Sequence, residues 1–431
     1  MNEADFVAIG GFVVLFVLMA LRVPVGIAMG IVGVGGFAQI AGWGPALNQL
    51  AISPLRTITD YNTSLIPMFI LMGVFATRSG ISGELFAAAR AWVGHMRGGL
   101  GLATITACSG FAAISGSSVA TAATMSKVAL PEMRGAGYGD ELATGVIAAG
   151  GTLGILIPPS VVLAIYGYIT EQDIGTLFIA GVVPGIIAVF MYLGLVWLIA
   201  GKQAQSTPRV GMRDRFASLK GIWAVLLLFA AVVGGIYAGV VTPTEAAAAG
   251  AFLTGLIGVL RGRLGLRELR VSLVEALHTA VAIYTILIGA MLFSYFLAIT
   301  QTPQKITAWL TGLDLGAYPT LALILLFFLF MGCILDAMAM IILLVPIVFP
   351  VITALGFDPI WFGIIIVMTV ELGMITPPIG MNVYVINAVI RDARLATIFR
   401  GVMPFVAIDI LRLILLAAVP AISLWLPNTM S

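Results

Sequence analysis

Residues 371–382 read "ELGMITPPIGMN" and lie inside a long apolar stretch. A proline has no N–H, and its ring clashes with the carbonyl four residues back. Pro377 and Pro378 therefore release the carbonyls of Gly373 and Met374 from helical bonding. A second stretch, "GTLGILIPPS" at 151–160, repeats the device: Pro158 and Pro159 release Gly154 and Ile155. A free carbonyl is costly in hydrocarbon, so it must line a cavity or meet a ligand. Carbonyl oxygens suit a small hard cation, and Thr152 and Thr376 place hydroxyls close by.

The surroundings of both stretches are those of a membrane. Of the 431 residues, 61% are hydrophobic and only 9% charged, and the mean hydropathy is +1.13. Soluble domains carry about a quarter charged residues. The net charge of +2 gives no reason to expect a nucleic-acid partner. Two cysteines, Cys108 and Cys333, lie in apolar surroundings and two histidines, His95 and His278, are far apart, so no disulfide framework or metal motif is visible. Spanning segments are expected at 5–21, 25–42, 62–78, 139–170, 173–200, 221–241, 244–260, 272–299, 360–391 and 400–427. The first of these follows Glu3 and Asp5 with no basic lead, and reads as a membrane helix rather than a cleaved signal.

Two further apolar regions, 99–130 and 318–355, are too long for one helix and are interrupted by small or polar residues. Each reads as a hairpin that enters and leaves on one side. Basic residues concentrate on the cytoplasmic side of membrane proteins. With the linker of Lys202, Arg209, Arg213, Arg215 and Lys220 placed there, all 21 basic residues share that side except Arg56, Lys305 and Arg412. A single crossing in either region would split the arginines. Two full crossings would not, so segment length and polarity select the hairpin.

A shift of 219 residues carries Pro24 to Pro243, Pro131 to Pro350, Gly137 to Gly356, Gly154 to Gly373, and Pro158-Pro159 to Pro377-Pro378. Segment order repeats as well. The expected fold is thus an all-α polytopic membrane protein of two repeats, 1–200 and 221–431, joined by a cytoplasmic linker at 201–220. Each half has five crossings, an odd number, so the second lies inverted relative to the first. Inverted repeats with broken helices mark secondary transporters whose site is near the midplane.

Polar groups at the breaks and tips are the binding candidates. The first hairpin carries "AISGSSVATAATM", with Ser115, Gly116, Ser117 and Ser118 at its tip. Hydroxyls and half-helix ends can face an anion, loop carbonyls can face a cation, and small residues also serve plain helix packing. The second hairpin places Asp336 opposite Ser117 at the same shift. An intramembrane carboxylate can bind a cation, carry a proton or cap a half-helix. Glu371 aligns with Thr152 and can serve an ion site or pair with a basic residue of another helix. Asp409 and Arg412 are spaced for an i,i+3 ion pair. His95 reads as an interfacial loop residue and His278 as a packed one.

These residues resemble those of a known family, the large membrane subunit of tripartite ATP-independent periplasmic (TRAP) transporters. The resemblance runs through "IPMFILMGVFATRSGIS" at 66–82, "FAAISGSSVATAATM" at 111–125, "PEMRGAGY" at 131–138, "TPTEAAAAGAF" at 242–252 and "ELGMITPPIGMNVYV" at 371–385. It implies a multi-pass protein of the bacterial inner membrane that takes up an organic acid on a sodium gradient. A small four-helix membrane subunit and a periplasmic binding protein would be its partners. A scaffold embedded in membrane lipid would hold a mobile elevator domain with both hairpins. One sodium site would use Ser115, Ser118, Gly154, Ile157 and Pro159, and a second Gly332, Asp336, Gly373, Thr376 and Pro378. Ser117, Thr152, Thr369 and Asn382 would contact substrate. The family often has asparagine near the position of Thr369. The small subunit is expected as a separate chain. The alternative is a stand-alone divalent-anion and sodium symporter of similar design. Scarce His, Cys and acidic residues argue against an intramembrane enzyme. Hairpins with helix breaks suit an occluded site better than a channel.

Overall fold

The computed structural model describes residues 2–200, 208–390 and 392–429. Lys202, Arg391 and the first part of the expected linker lie outside the described residues. Every regular element described is helical. Among the described residues, eight helices are long and apolar enough to cross a membrane, or nine if Leu65–Arg78 and Ile81–Val93, bent by 63°, form one span.

The first half runs through Glu3–Ala20, Val25–Ala41, Trp43–Thr59, Leu65–Arg78 and Ile81–Val93. It continues through Gly99–Ser115, Ser118–Gly135, Asp140–Leu156, Val161–Thr170 and Ile174–Ile199. The second half begins with Met212–Phe229, which passes through a π-helical turn at Ala230–Gly234 into Gly235–Tyr237. Pro243–Leu260, Leu266–Ile299, Thr302–Thr311, Ala317–Gly332 and Ala337–Ala354 follow. Pro359–Ile375, Met381–Ile390 and Leu395–Ala418 complete it, with short turns at Ala421–Leu424 and Pro427–Thr429.

Both regions read as hairpins are pairs of helices with a short break, and both proline pairs interrupt a span. The spacing of 219 residues also relates the observed elements. It carries Ser118–Gly135 to Ala337–Ala354 and Asp140–Leu156 to Pro359–Ile375. The Pro158–Pro159 and Pro377–Pro378 peptide bonds, at the same shift, are both cis.

Several boundaries depart from the expected ones. Trp43–Thr59, Ile81–Val93 and Thr302–Thr311 are helices the apolar count passed over. The span expected at 272–299 begins at Leu266, and the one at 400–427 covers Leu395–Ala418. Met212 starts its helix inside the stretch read as linker.

Burial sorts the helices into centre and rim. The apolar window of Asp140–Thr170 is 94% buried, that of Glu3–Ala20 only 11%. The central helices approach closely where neither carries a side chain. A Cβ on Gly145 would collide with the backbone of Gly401, and one on Gly401 with the carbonyl of Glu141. That crossing seats Leu395–Ala418 against the first broken span. Val25–Ala41 meets Leu266–Ile299 in the same way through Gly26 and Gly289.

Candidate functional site

Each hairpin tip sits on a helix break. In the first half, Gly116 adopts a left-handed φ of 58° and ends one helix. Ser117 caps the next, accepting from the N–H of Ala120 at 3.3 Å. A Cβ on Gly154 would lie 2.5 Å from the Ser117 carbonyl, and one on Gly116 would lie 2.8 Å from that of Pro159. Glycine at 116 and 154 is what lets tip and break touch. In the second half, Asp336 caps its helix, accepting from Met338 and Ala339 at 2.9 and 3.0 Å. Gly332 and Gly373 meet backbone to backbone, and the Cys333 thiol reaches the Pro377 carbonyl at 3.3 Å.

The prolines free fewer carbonyls than counting back four residues suggests. The Ile155 carbonyl accepts from the Ser160 hydroxyl at 2.5 Å. The Gly373 carbonyl accepts from the Thr376 N–H at 3.3 Å. Among the described residues, no hydrogen bond from beyond the helix reaches the carbonyls of Gly154 or Met374. Each break therefore retains carbonyl oxygens without their helical donors, that of Gly154 in the first and that of Met374 in the second among them. No group of three His, Cys, Asp or Glu side chains that could hold a metal ion occurs among the described residues. A cation at either break would have backbone carbonyls and hydroxyls as ligands.

The expected ligands divide by position. Ser115 is buried, its hydroxyl 2.9 Å from that of Thr121. The Ser118 hydroxyl accepts from the Asn382 amide at 2.6 Å, and the same amide reaches the Ala148 carbonyl at 3.4 Å. Asn382 Oδ1 is buried without a partner. Asn382 thus ties the second broken span to the first hairpin. Thr376 donates to Leu372 at 2.5 Å beside Pro378, which is exposed. Ile157 packs against Gly185 and lines an apolar cavity with Ala113 and Pro158. Thr369 donates to Ile365 at 2.9 Å and borders an apolar cavity with Tyr318, Leu372 and Ile410, apart from both tips.

Thr152 and Glu371 face neither tip. Thr152 lies 3.2 Å from the Tyr192 hydroxyl, which donates to Asp409 at 2.7 and 2.8 Å. Arg412 pairs with Asp409 at 3.1 Å and Glu371 at 3.0 Å. Both Arg412 and Glu371 are 0% exposed and Asp409 is 2%. Sequence reading anticipated the Asp409–Arg412 spacing but missed Tyr192, a lone aromatic in an apolar run with no local signal.

A polar cavity of about 790 Å³ lies elsewhere. Arg56, Asp60, Tyr168, Glu171, Thr242 and Ser294 are among its lining residues. None of the expected ligands borders it. It opens on the side where the charge count puts Arg56.

The model for the DctM component of the tripartite ATP-independent periplasmic transporter matches residues 12–422. The chain belongs to this family of TRAP transporter large permeases. It is 40% identical to the C4-dicarboxylate TRAP transporter large permease protein DctM of Pseudomonas aeruginosa, over 92% of this chain and 93% of that protein. It is 34% identical to the sialic acid large permease SiaM of Vibrio cholerae, over 89% and 90%. The isethionate permease DctMQ of Oleidesulfovibrio alaskensis matches over 96% of this chain but 66% of its own length, at 32% identity. Among solved structures, the YdaH transporter of Alcanivorax borkumensis superposes with a TM-score of 0.62, covering 87% of this chain and 88% of that one at 16% identity. That likeness extends the TRAP permease's helical fold to a distant transporter. The relatives are permeases and not enzymes, in keeping with the reading of this chain as a non-enzyme.

Proposed function

We propose that this TRAP large permease couples the uptake of a small organic acid to a sodium gradient. The observation that carries the reading is the paired arrangement of hairpin tip on helix break, with undonated carbonyls at each. Two such places, related by one sequence shift, fit two cation sites. The odd number of crossings per half makes the halves inverted, so the tips approach the midplane from opposite faces. Movement of both hairpins as one body against the rim helices then alternates access, as an elevator does. The polar cavity beside Arg56 is the entrance on the outer side.

The substrate is a carboxylate, and a C4-dicarboxylate is the first to test. The relatives at 40% and 36% identity carry that substrate in their names, and sialic acid and ectoine permeases follow at lower identity. A periplasmic binding protein delivers it and a small membrane subunit completes the permease; the fused DctMQ relative supports the second partner.

Proteoliposomes holding the permease, its small subunit and its binding protein test this reading. Uptake is expected under an inward sodium gradient and not under a proton gradient alone. Equal uptake under both overturns sodium coupling. Uptake at full rate without the binding protein favours the stand-alone symporter.

A further inference from the structure

The buried chain of polar groups between the two broken spans has no part in the ion sites just described. Thr152 stands four residues before the end of Asp140–Leu156, and Glu371 four before the end of Pro359–Ile375. Each is thus one turn from the carbonyls its break exposes. Between them lie Tyr192, on Ile174–Ile199, and Asp409 and Arg412, on Leu395–Ala418. The Thr152 hydroxyl has two acceptors in reach, the Ala149 carbonyl at 2.7 Å and the Tyr192 oxygen at 3.2 Å, and turning to the second lets it donate to Tyr192 while Tyr192 donates to Asp409; Asp409 and Glu371 share the guanidinium, which also stacks over the Tyr192 ring at 5.6 Å. No member is open to solvent.

Such a set is costly to bury. Replacing a buried ion pair by packed apolar residues is often neutral or stabilising, so fold stability alone does not account for it. The set is also incomplete, since Arg412 Nε and Nη1 and Glu371 Oε1 lack partners. A hydrogen-bonded chain in a low-dielectric interior transmits a change at one end to the other, because each bond polarises the next. Its two ends fall on the two breaks.

We propose that Thr152, Tyr192, Asp409, Arg412 and Glu371 are a positioning network that couples the two candidate cation sites. It rests on the sodium reading above. A cation at the first break fixes the turn that carries Thr152; through Tyr192 and the Asp409–Arg412 pair, this orients Glu371 and the turn before the second break. Occupation of one site then raises affinity at the other, and by thermodynamic reciprocity the effect runs equally both ways.

Tyr192→Phe tests the coupling, because it removes one hydroxyl and keeps the ring over Arg412. Sodium titrations of substrate uptake in the reconstituted transporter are the readout, with thermal unfolding as the check on folding. The parent is expected to respond cooperatively. Tyr192→Phe is expected to lower the Hill coefficient toward one and to raise the half-saturating sodium concentration about fivefold or more, the range of typical coupling energies. Thr152→Val cuts the same link from the other side and should do the same, which guards against a folding defect in either variant. A purely structural role would lower the melting temperature and leave the Hill coefficient alone. That outcome, in either folded variant, overturns the network. A parent whose uptake ignores sodium removes the coupling reading itself, a failure visible before any variant is made.

Discussion

At Ser118 the fold sets a hydroxyl against the amide of a residue 264 positions away, Asn382. Nothing in either local sequence announces that partnership. What was legible was chemistry without address: small hydroxyls at a turn, a carboxylate in hydrocarbon, an asparagine after a proline pair. Asp336 illustrates the gap. Cation binding, proton carriage and capping were all open to it, and its carboxylate caps. Glu371 found its basic partner on another helix, one of its two open roles. Ser118→Ala strands the Asn382 amide with only its long contact to Ala148. The variant should lose about 1–3 kcal/mol of stability and bind sodium more weakly. Ser115→Ala should cost less, because Thr121 still reaches the Ser117 carbonyl at 2.8 Å. Thermal melts and sodium-dependent uptake of the two variants make the comparison.

Helices were legible where apolar length and breakers coincide. The helix breaks within 99–130 and 318–355 and at both proline pairs fell where prolines and small residues placed them. The elements missed are those in which polarity masks the helix. Trp43–Thr59 contains Asn48, Gln49, Pro54 and Arg56, with most of its length exposed. Ile81–Val93 carries Glu84 and Arg90 among its apolar residues, and Glu84 pairs with Arg261 at 2.5 Å. A hydropathy window averages such faces away; a helical period would have found them. Contact between tip and break also belongs to this scale. Gly154→Ala puts a methyl 2.5 Å from the Ser117 carbonyl, and Gly373→Ala 2.8 Å from the Gly332 Cα. Each should cost about 1–3 kcal/mol by overpacking and should raise the half-saturating sodium concentration of uptake. Gly10→Ala has nothing within 4 Å to strike. It should melt at or above the parent temperature, since alanine favours a helix by up to about 1 kcal/mol.

At the scale of the whole molecule, Arg215 brings the second half against the loop of His95, and there one histidine responds to pH. His95, in the loop before Gly99–Ser115, accepts from Arg215 at 3.2 Å. Burial first, then Arg215 and Arg209, holds its pKa below the ordinary 6.5. The unfolded chain therefore takes up this proton more readily than the folded one. Stability contributed by neutral His95 is complete above 6.5 and falls as the pH drops through that value toward the lowered one. Melting temperatures measured from about pH 7.5 to 5.5 should decline more steeply for the parent than for His95→Gln. Equal slopes would leave the charge cluster without this effect. The basic composition of this region was legible in the sequence, whereas the Arg215–His95 pairing needed the fold.

The pairing of Glu371 with Arg412 also has a consequence for synthesis. The chain is made from its amino end, so the helix Pro359–Ile375 is complete before the one that carries Arg412 exists. For that interval the glutamate has no counter-ion of its own. A charged side chain at a helix centre costs about 2.5–3.5 kcal/mol on insertion scales. The growing protein must therefore shelter Glu371, protonated or against the insertion machinery, until Leu395–Ala418 arrives and packs through Gly401 onto the first broken span. The last long helix is in this sense the closing piece of assembly. A chain halted before Leu395 should be retained by the insertion machinery and degraded, and pulse-chase labelling should find the same fate for a full-length chain carrying Arg412→Leu.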